Sequence, residues 1–145
     1  MEIYAQLIDE KDNPLEFYSL ATYPDGAMKT NIVDLTRLLQ ALIKGYKGES
    51  NILDENSWKI FYAKNFTETK PVTGINPKEP NCGIFIVYAK SGAIGHTGSD
   101  PGLCSFMFFN PSKMTGRIFM GNEDLTKHNL DSFKMIWENL QLKND

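Results

Sequence analysis

Cysteine is scarce in this chain. Its two thiols, Cys82 and Cys104, have no metal-ligand spacing and are too few to staple a disulfide-dense scaffold. Two separate part-buried thiols are the plain reading, with a bridge between neighbouring strands as the alternative. Histidine is equally rare: His96 and His128 lie far apart and make no metal pair, so no metal and no cofactor is expected. Basic charge is short as well. Fifteen Lys and Arg against eighteen Asp and Glu leave a formal charge of −3 with no local Lys/Arg cluster, which excludes a nucleic-acid binder. No apolar run approaches the roughly 18 residues that cross a bilayer; the longest is short, around Phe106-Met107-Phe108-Phe109. Residues Met1 to Gln6 show neither a basic segment nor an apolar signal core. Repeats and low-complexity tracts are missing too.

What is present is an ordinary globular composition. Hydrophobic residues at 41% and charged residues at 23% across 145 positions suit one compact domain, taken as 1–145. The first 22 residues lack a sustained period and read as extended or irregular, with a turn at Asp12-Asn13-Pro14 and another at Tyr23-Pro24-Asp25-Gly26. Ile32, Leu35, Leu38, Leu39, Leu42 and Ile43 form one apolar stripe, predicting a helix over 32–44 that Thr30 or Asn31 caps and Gly45 ends. A second helix starts after the N-cap Asp54 and runs to about Ala63. Three prolines between Asn65 and Asn81 mark a long loop. Strands follow at 83–90, 93–97, 103–110 and 117–121, separated by Ser91-Gly92, Asp100-Pro101-Gly102 and the turn at 111–116. A last helix, about Leu125 to Gln141, carries Leu125, Leu130, Phe133, Ile136, Trp137 and Leu140 on one side. The expected class is α+β: an antiparallel sheet of three to four strands with helices packed on it.

The chemistry concentrates in Gly95-His96-Thr97-Gly98-Ser99-Asp100-Pro101-Gly102. A cation-capable ring, a hydroxyl and a residue without a side chain stand in sequence at a strand end. Gly98 lets a ligand approach, and backbone N–H groups there can polarise a carbonyl. His-Thr-Gly alone is also what a strand running into a Gly/Pro turn looks like. His128 reads as a surface residue of the last helix, Asn65-Phe66-Thr67 as a glycosylation sequon of no weight by itself, and the phenylalanines at 106, 108 and 109 as core.

The segment 92–102, then Ser105 to Pro111, then Gly121-Asn122, resembles the C-terminal region of the β-lactamase-related serine hydrolases. That family holds class C β-lactamases, penicillin-binding DD-peptidases and related esterases and aminopeptidases. Upstream, Tyr23-Pro24-x-Gly26-x-Met28-x-Thr30-x-x-x-Asp34-Leu35 is similar to the family's loop into a helix, so the resemblance covers roughly Tyr23 to Trp137. Members use Ser-x-x-Lys for the nucleophile, Tyr-x-Asn for proton handling and Lys-Thr-Gly or His-Thr-Gly on the facing strand. Only the third cluster is here. No serine has a lysine three residues on, Ser57-Trp58-Lys59 being one short, and no tyrosine opens Tyr-x-Asn, Tyr18-Ser19-Leu20 being the near miss.

The resemblance implies an incomplete β-lactamase/transpeptidase-like fold, the C-terminal portion of a hydrolase whose first two clusters lie upstream. It implies that His96 supports proton transfer and an anionic substrate group, and that Thr97 hydrogen-bonds a substrate carboxylate or acyl group. Gly98 admits the substrate backbone, and the Ser99 N–H is half of an oxyanion hole. The substrate is a β-lactam, a D-amino-acid peptide or an ester. Family members acting on cell walls are exported, and the compartment stays open. The alternative is a non-catalytic binding or interaction module that keeps the sheet. Without the upstream part a sheet edge should lie open, so a homo-oligomer is expected through it, unless the first 22 residues fold back.

Overall fold

A computed structural model of the chain describes residues 4–21, 26, 28–67, 69–70 and 72–142. It contains helices α1 (Ile32–Lys47), α2 (Glu55–Phe61) and α3 (Leu130–Leu142). Five strands lie between α2 and α3: β1 (Asn81–Cys82), β2 (Val87–Tyr88), β3 (Ile94–Asp100), β4 (Leu103–Asn110) and β5 (Thr115–Gly121). They form one open antiparallel sheet in the order β1-β2-β3-β4-β5, so the class is α+β as expected.

The sheet has five strands rather than three to four because the run 83–90 is not one strand. Gly83 donates its N–H to the Ile86 carbonyl at 2.8 Å and sits where a Cβ would lie 2.6 Å from the Phe61 carbonyl oxygen. That tight turn drops Ile86 into the core and leaves only Val87 and Tyr88 to pair with β3, while Asn81 and Cys82 pair back onto them.

Helix α1 runs past Gly45, against expectation. Gly45 is buried, and a Cβ there would meet the Trp58 ring at 2.5 Å, so the residue is a packing notch. The stop is Gly48, at φ +75°, where two bonds satisfy the last carbonyls: Gly48 N–H to Gly45 O at 3.1 Å and Glu49 N–H to Lys44 O at 2.8 Å. Helix α2 begins as expected. The Asp54 carboxylate accepts from the Ser57 N–H at 2.8 Å and from the Ser57 hydroxyl at 2.9 Å, and these bonds hold it below the usual carboxylate range. Helix α3 starts at Leu130 rather than Leu125. The Asn129 side chain accepts from Thr126 N–H and donates to the Asp124 carbonyl and the Glu123 carboxylate, closing a turn ahead of the helix.

The chain divides into two compact units, residues 1–32, 97–106 and 117–145 in one, and 33–96 and 107–116 in the other. In the second, Leu35, Leu39 and Leu42 of α1, with Trp58, Ile86, Ile94, Met107, Phe108 and the wholly buried Phe109, make the core. Rings knit it: Tyr46 meets Phe109 edge-on at 5.5 Å, and Trp58 stacks on Tyr62 at 5.8 Å. The Tyr62 hydroxyl donates to the Leu42 carbonyl at 2.7 Å.

In the first unit, Phe106 stacks on Phe119 at 5.3 Å, and α3 supplies Trp137 and Phe133 edge-on to them. The Arg117 guanidinium lies 4.2 Å from the centre of the Trp137 ring. The N-terminal segment turns at residues 9–13 and folds back on the end of β5: the Ile8 N–H donates to the Asn122 carbonyl, and the Asn122 amide donates to the Gln6 carbonyl. Of the turn expected at Tyr23 to Gly26, all but Gly26 lies outside the described residues.

Replacing Gly45 with alanine drives a methyl into the Trp58 ring, and overpacking of this kind costs about 1–3 kcal/mol. Denaturant unfolding of Gly45→Ala should show an unfolding free energy lowered by that amount, seen as a lower midpoint at unchanged slope; unchanged stability would show that α1 and α2 do not pack through this notch.

Candidate functional site

The strand carrying His96, Thr97, Gly98 and Ser99 ends in a two-residue turn. Pro101 fixes φ at its first central position and Gly102, at φ +71°, takes the second, the pattern of a type II turn. Glycine is required at 102 for space as well, since a Cβ would strike the Leu7 and Leu15 side chains. The Gly102 N–H donates to the Asp124 carboxylate at 2.9 Å, and the Tyr18 hydroxyl donates to the Pro101 carbonyl at 2.7 Å.

This turn sets Gly98 opposite Ser105 on β4. A Cβ on Gly98 would fall 2.6 Å from the Ser105 hydroxyl, so the gap left by this glycine is taken up by its cross-strand neighbour. Because side chains alternate along a strand, Gly98 and Asp100 share one face with His96, and Thr97 and Ser99 share the other. The four consecutive residues therefore do not converge their side chains on a single face. His96 is half-buried, with its ring stacked on Phe85 at 4.9 Å and an interplanar angle of 15°. Thr97 and Ser99 are exposed.

What Thr97 and Ser99 do share is an edge. The ladder between β2 and β3 consists of Tyr88↔Ile94 and Val87↔Gly95, closed by the Ala89 N–H to the Ala93 carbonyl at 2.9 Å. Backbone polar groups alternate sides along a strand, so Ala93, Gly95, Thr97 and Ser99 direct theirs to the same side. Past Gly95 no strand among the described residues lies on that side. The N–H and C=O groups of Thr97 and Ser99 are thus directed to a side on which no described strand pairs with them.

Tyr18, the near miss for a proton-handling tyrosine, reaches the Pro101 end of this strand but is unsuited to act as a base. Its hydroxyl proton is committed to the Pro101 carbonyl, and burial together with the Asp100 and Asp124 carboxylates pushes the phenol above its ordinary value. His128 is exposed in the turn before α3 rather than within a helix. The Asn65 amide donates to the Gly83 carbonyl at 3.0 Å, which occupies the nitrogen a glycan would need. No group of three or more His, Cys, Asp or Glu side chains able to hold a metal ion occurs among the described residues, and no helix there is long and apolar enough to cross a membrane. Phe85 is the residue sequence reasoning missed. Within Ile84-Phe85-Ile86 it looks like strand core, and nothing in its neighbours signals the turn that turns it outward.

Compared with protein-family models, with curated proteins and with solved structures, the chain matches none.

Both cysteines are free thiols, Cys82 half-buried and Cys104 buried. Burial, with the Glu123 carboxylate beside it, pushes the Cys104 thiol up to about 11. At pH 8 only about one Cys104 in a thousand is then thiolate. Iodoacetamide should modify Cys82 in the folded protein and Cys104 only after unfolding, as read by peptide mass. Because the folded protein holds this proton more tightly than the unfolded chain, its contribution to stability is intact below the ordinary value of 9.0. It should be lost as pH rises from there through about 11. Fast labelling of Cys104 at pH 8 would contradict both expectations.

Proposed function

We propose that this chain is the substrate-recognising, C-terminal part of a β-lactamase-related serine hydrolase, supplying one wall of an acyl-transfer site and no nucleophile. The observation that carries the reading is the outer side of β3, where a His-Thr-Gly sequence coincides with exposed Thr97 and Ser99, whose backbone groups face a side on which no strand pairs with them among the described residues. An incomplete β-lactamase/transpeptidase-like fold fits an antiparallel sheet with its helices, and the open edge fits the absence of a neighbouring catalytic element.

In this reading the Ser99 N–H points at the carbonyl oxygen of an acyl substrate and stabilises the negative charge that develops when the carbonyl is attacked. One such donor is worth roughly 10²–10³ in rate. His96, half-buried with its ring stacked on Phe85, attracts the anionic group of the substrate. Thr97 projects from the opposite face of the strand, so its hydroxyl serves the acyl side rather than the group held by His96. The attacking hydroxyl, and the amine that takes its proton, come from polypeptide outside these 145 residues, since neither Ser-x-x-Lys nor Tyr-x-Asn occurs within them. Acyl transfer on a β-lactam, a D-amino-acid peptide or an ester fits this wall equally.

The same edge favours a second reading, a non-catalytic module that takes an extended partner segment as an added strand. A second copy of the chain is the nearest such partner, and we read the protein as a homo-oligomer through this edge. Light scattering at high concentration should then give a mass above that of one chain, and a monodisperse monomer would count against it.

Loss of nucleophile and base removes on the order of 10⁶ in rate from a serine hydrolase. The isolated chain should therefore form no covalent adduct with a fluorescent penicillin, read by intact mass. A mass gain of one penicillin would refute the absence of a nucleophile. Sequencing the gene upstream of the Met1 codon tests the parent: Ser-x-x-Lys and Tyr-x-Asn in the same reading frame are expected, and a frame without them favours the module.

A further inference from the structure

The ring pair Phe85–His96 lies wholly within the unit formed by residues 33–96 and 107–116. Phe85 is 46% exposed, flanked by the buried Ile86 and held in a turn that Gly83 N–H to Ile86 O and Ile84 N–H to Phe61 O close at 2.8 and 3.2 Å. A phenylalanine so exposed adds little to the core, yet its ring is set flat on the imidazole. His96, for its part, has no hydrogen bond from either ring nitrogen to a described residue. Most working histidines have their ring plane fixed by a bond to the second nitrogen. The torsion that swings an imidazole is otherwise broad and two-fold. Here the flat contact with Phe85 is what restricts it.

We propose that Phe85 is a positioning residue, holding the His96 imidazole so that a ring nitrogen is presented edge-on to a carboxylate-bearing ligand. This rests on the reading of His96 as the anion-recognising group. The anchoring is mechanical: Ile86, buried next door, and the two turn bonds fix the backbone at 85, and the stacked ring passes that order to the imidazole. The carboxylate goes to the imidazole edge, where neither ring nitrogen bonds to a described residue.

The test is NMR on the whole chain with acetate as the probe. In the unaltered protein the Phe85 ring current should shift the His96 imidazole protons upfield, and acetate should move those same resonances. Phe85→Leu should abolish the upfield shift and raise the acetate dissociation constant at least threefold. Phe85→Tyr, which keeps the flat ring, should retain both, a rescue that a merely structural role does not require. Phe85→Met provides the same comparison should leucine disturb the fold. Unchanged acetate affinity in Phe85→Leu, or an equal loss in Phe85→Tyr, overturns the proposal, as does acetate that perturbs no His96 resonance in the unaltered chain. His96→Gln separates the two ideas. If it abolishes acetate binding while Phe85→Leu does not, positioning alone fails; if it leaves binding intact, the anion role of His96 fails as well.

Discussion

Two residue pairs join β2 to β3, Tyr88↔Ile94 and Val87↔Gly95, and the point where that ladder stops determines what the rest of β3 can do. A strand's backbone groups need partners on both sides, from the sheet, from water or from another molecule. Past Gly95, β4 lies on one side of β3, and on the other no strand pairs with it among the described residues. The ladder stops because Gly83 turns the preceding chain at Phe61 instead of extending it, which shortens β2 to two residues. A longer β2 would have covered Thr97 and Ser99 and erased the edge on which the proposed function depends. Close approach at one glycine thus fixes the exposure of backbone donors well away from it in the sequence.

The parts of the fold that could be read from the sequence are those whose causes are local. Strand β4 has the bounds expected of it, because Pro101-Gly102 and Asn110-Pro111 enclose an apolar run with chain-reversal chemistry of their own. Asp54 caps α2 as expected, since the bond it makes is only three residues away. The errors share a different origin. Gly45 looks like a helix stop, and becomes a notch only because Trp58 of another element occupies the space beside it. Leu125 fits the periodic stripe of α3, yet Asn129 spends its amide closing a turn there, a competition between side chain and backbone that apolar spacing does not register.

The site divides along the same line. His96, Thr97, Gly98 and Ser99 were visible as a motif. The alternation that separates His96 from Thr97 across the strand follows directly from the strand being one. The filling of the Gly98 gap by Ser105 needed the register of β4, and the Phe85 platform needed a turn that has no strong signature in Gly83-Ile84-Phe85-Ile86. Sequence named the residues and their alternation; what stands beside each one came from pairing.

Acid–base chemistry points the same way as the missing motifs. The phenols of Tyr18, Tyr62 and Tyr88 and the Cys104 thiol are all pushed upward, chiefly by burial, which keeps them protonated and non-nucleophilic. The lowered carboxylates of Asp9, Asp54 and Glu55 owe their shifts to turn, cap and helix-surface bonds far from any reactive role. The proposed wall would hold donors where charge develops, but a donor lowers a barrier only if it binds the transition state better than the ground state. With neither Ser-x-x-Lys nor Tyr-x-Asn in the sequence, the proposed reading has the Ser99 N–H of the isolated chain meet a neutral carbonyl and bind it no better than any strand edge would. On the proposed reading, catalytic wall and strand-accepting module are therefore the same object in isolation, and only a serine supplied by other polypeptide would separate them, by creating an oxyanion for the Ser99 N–H to bind.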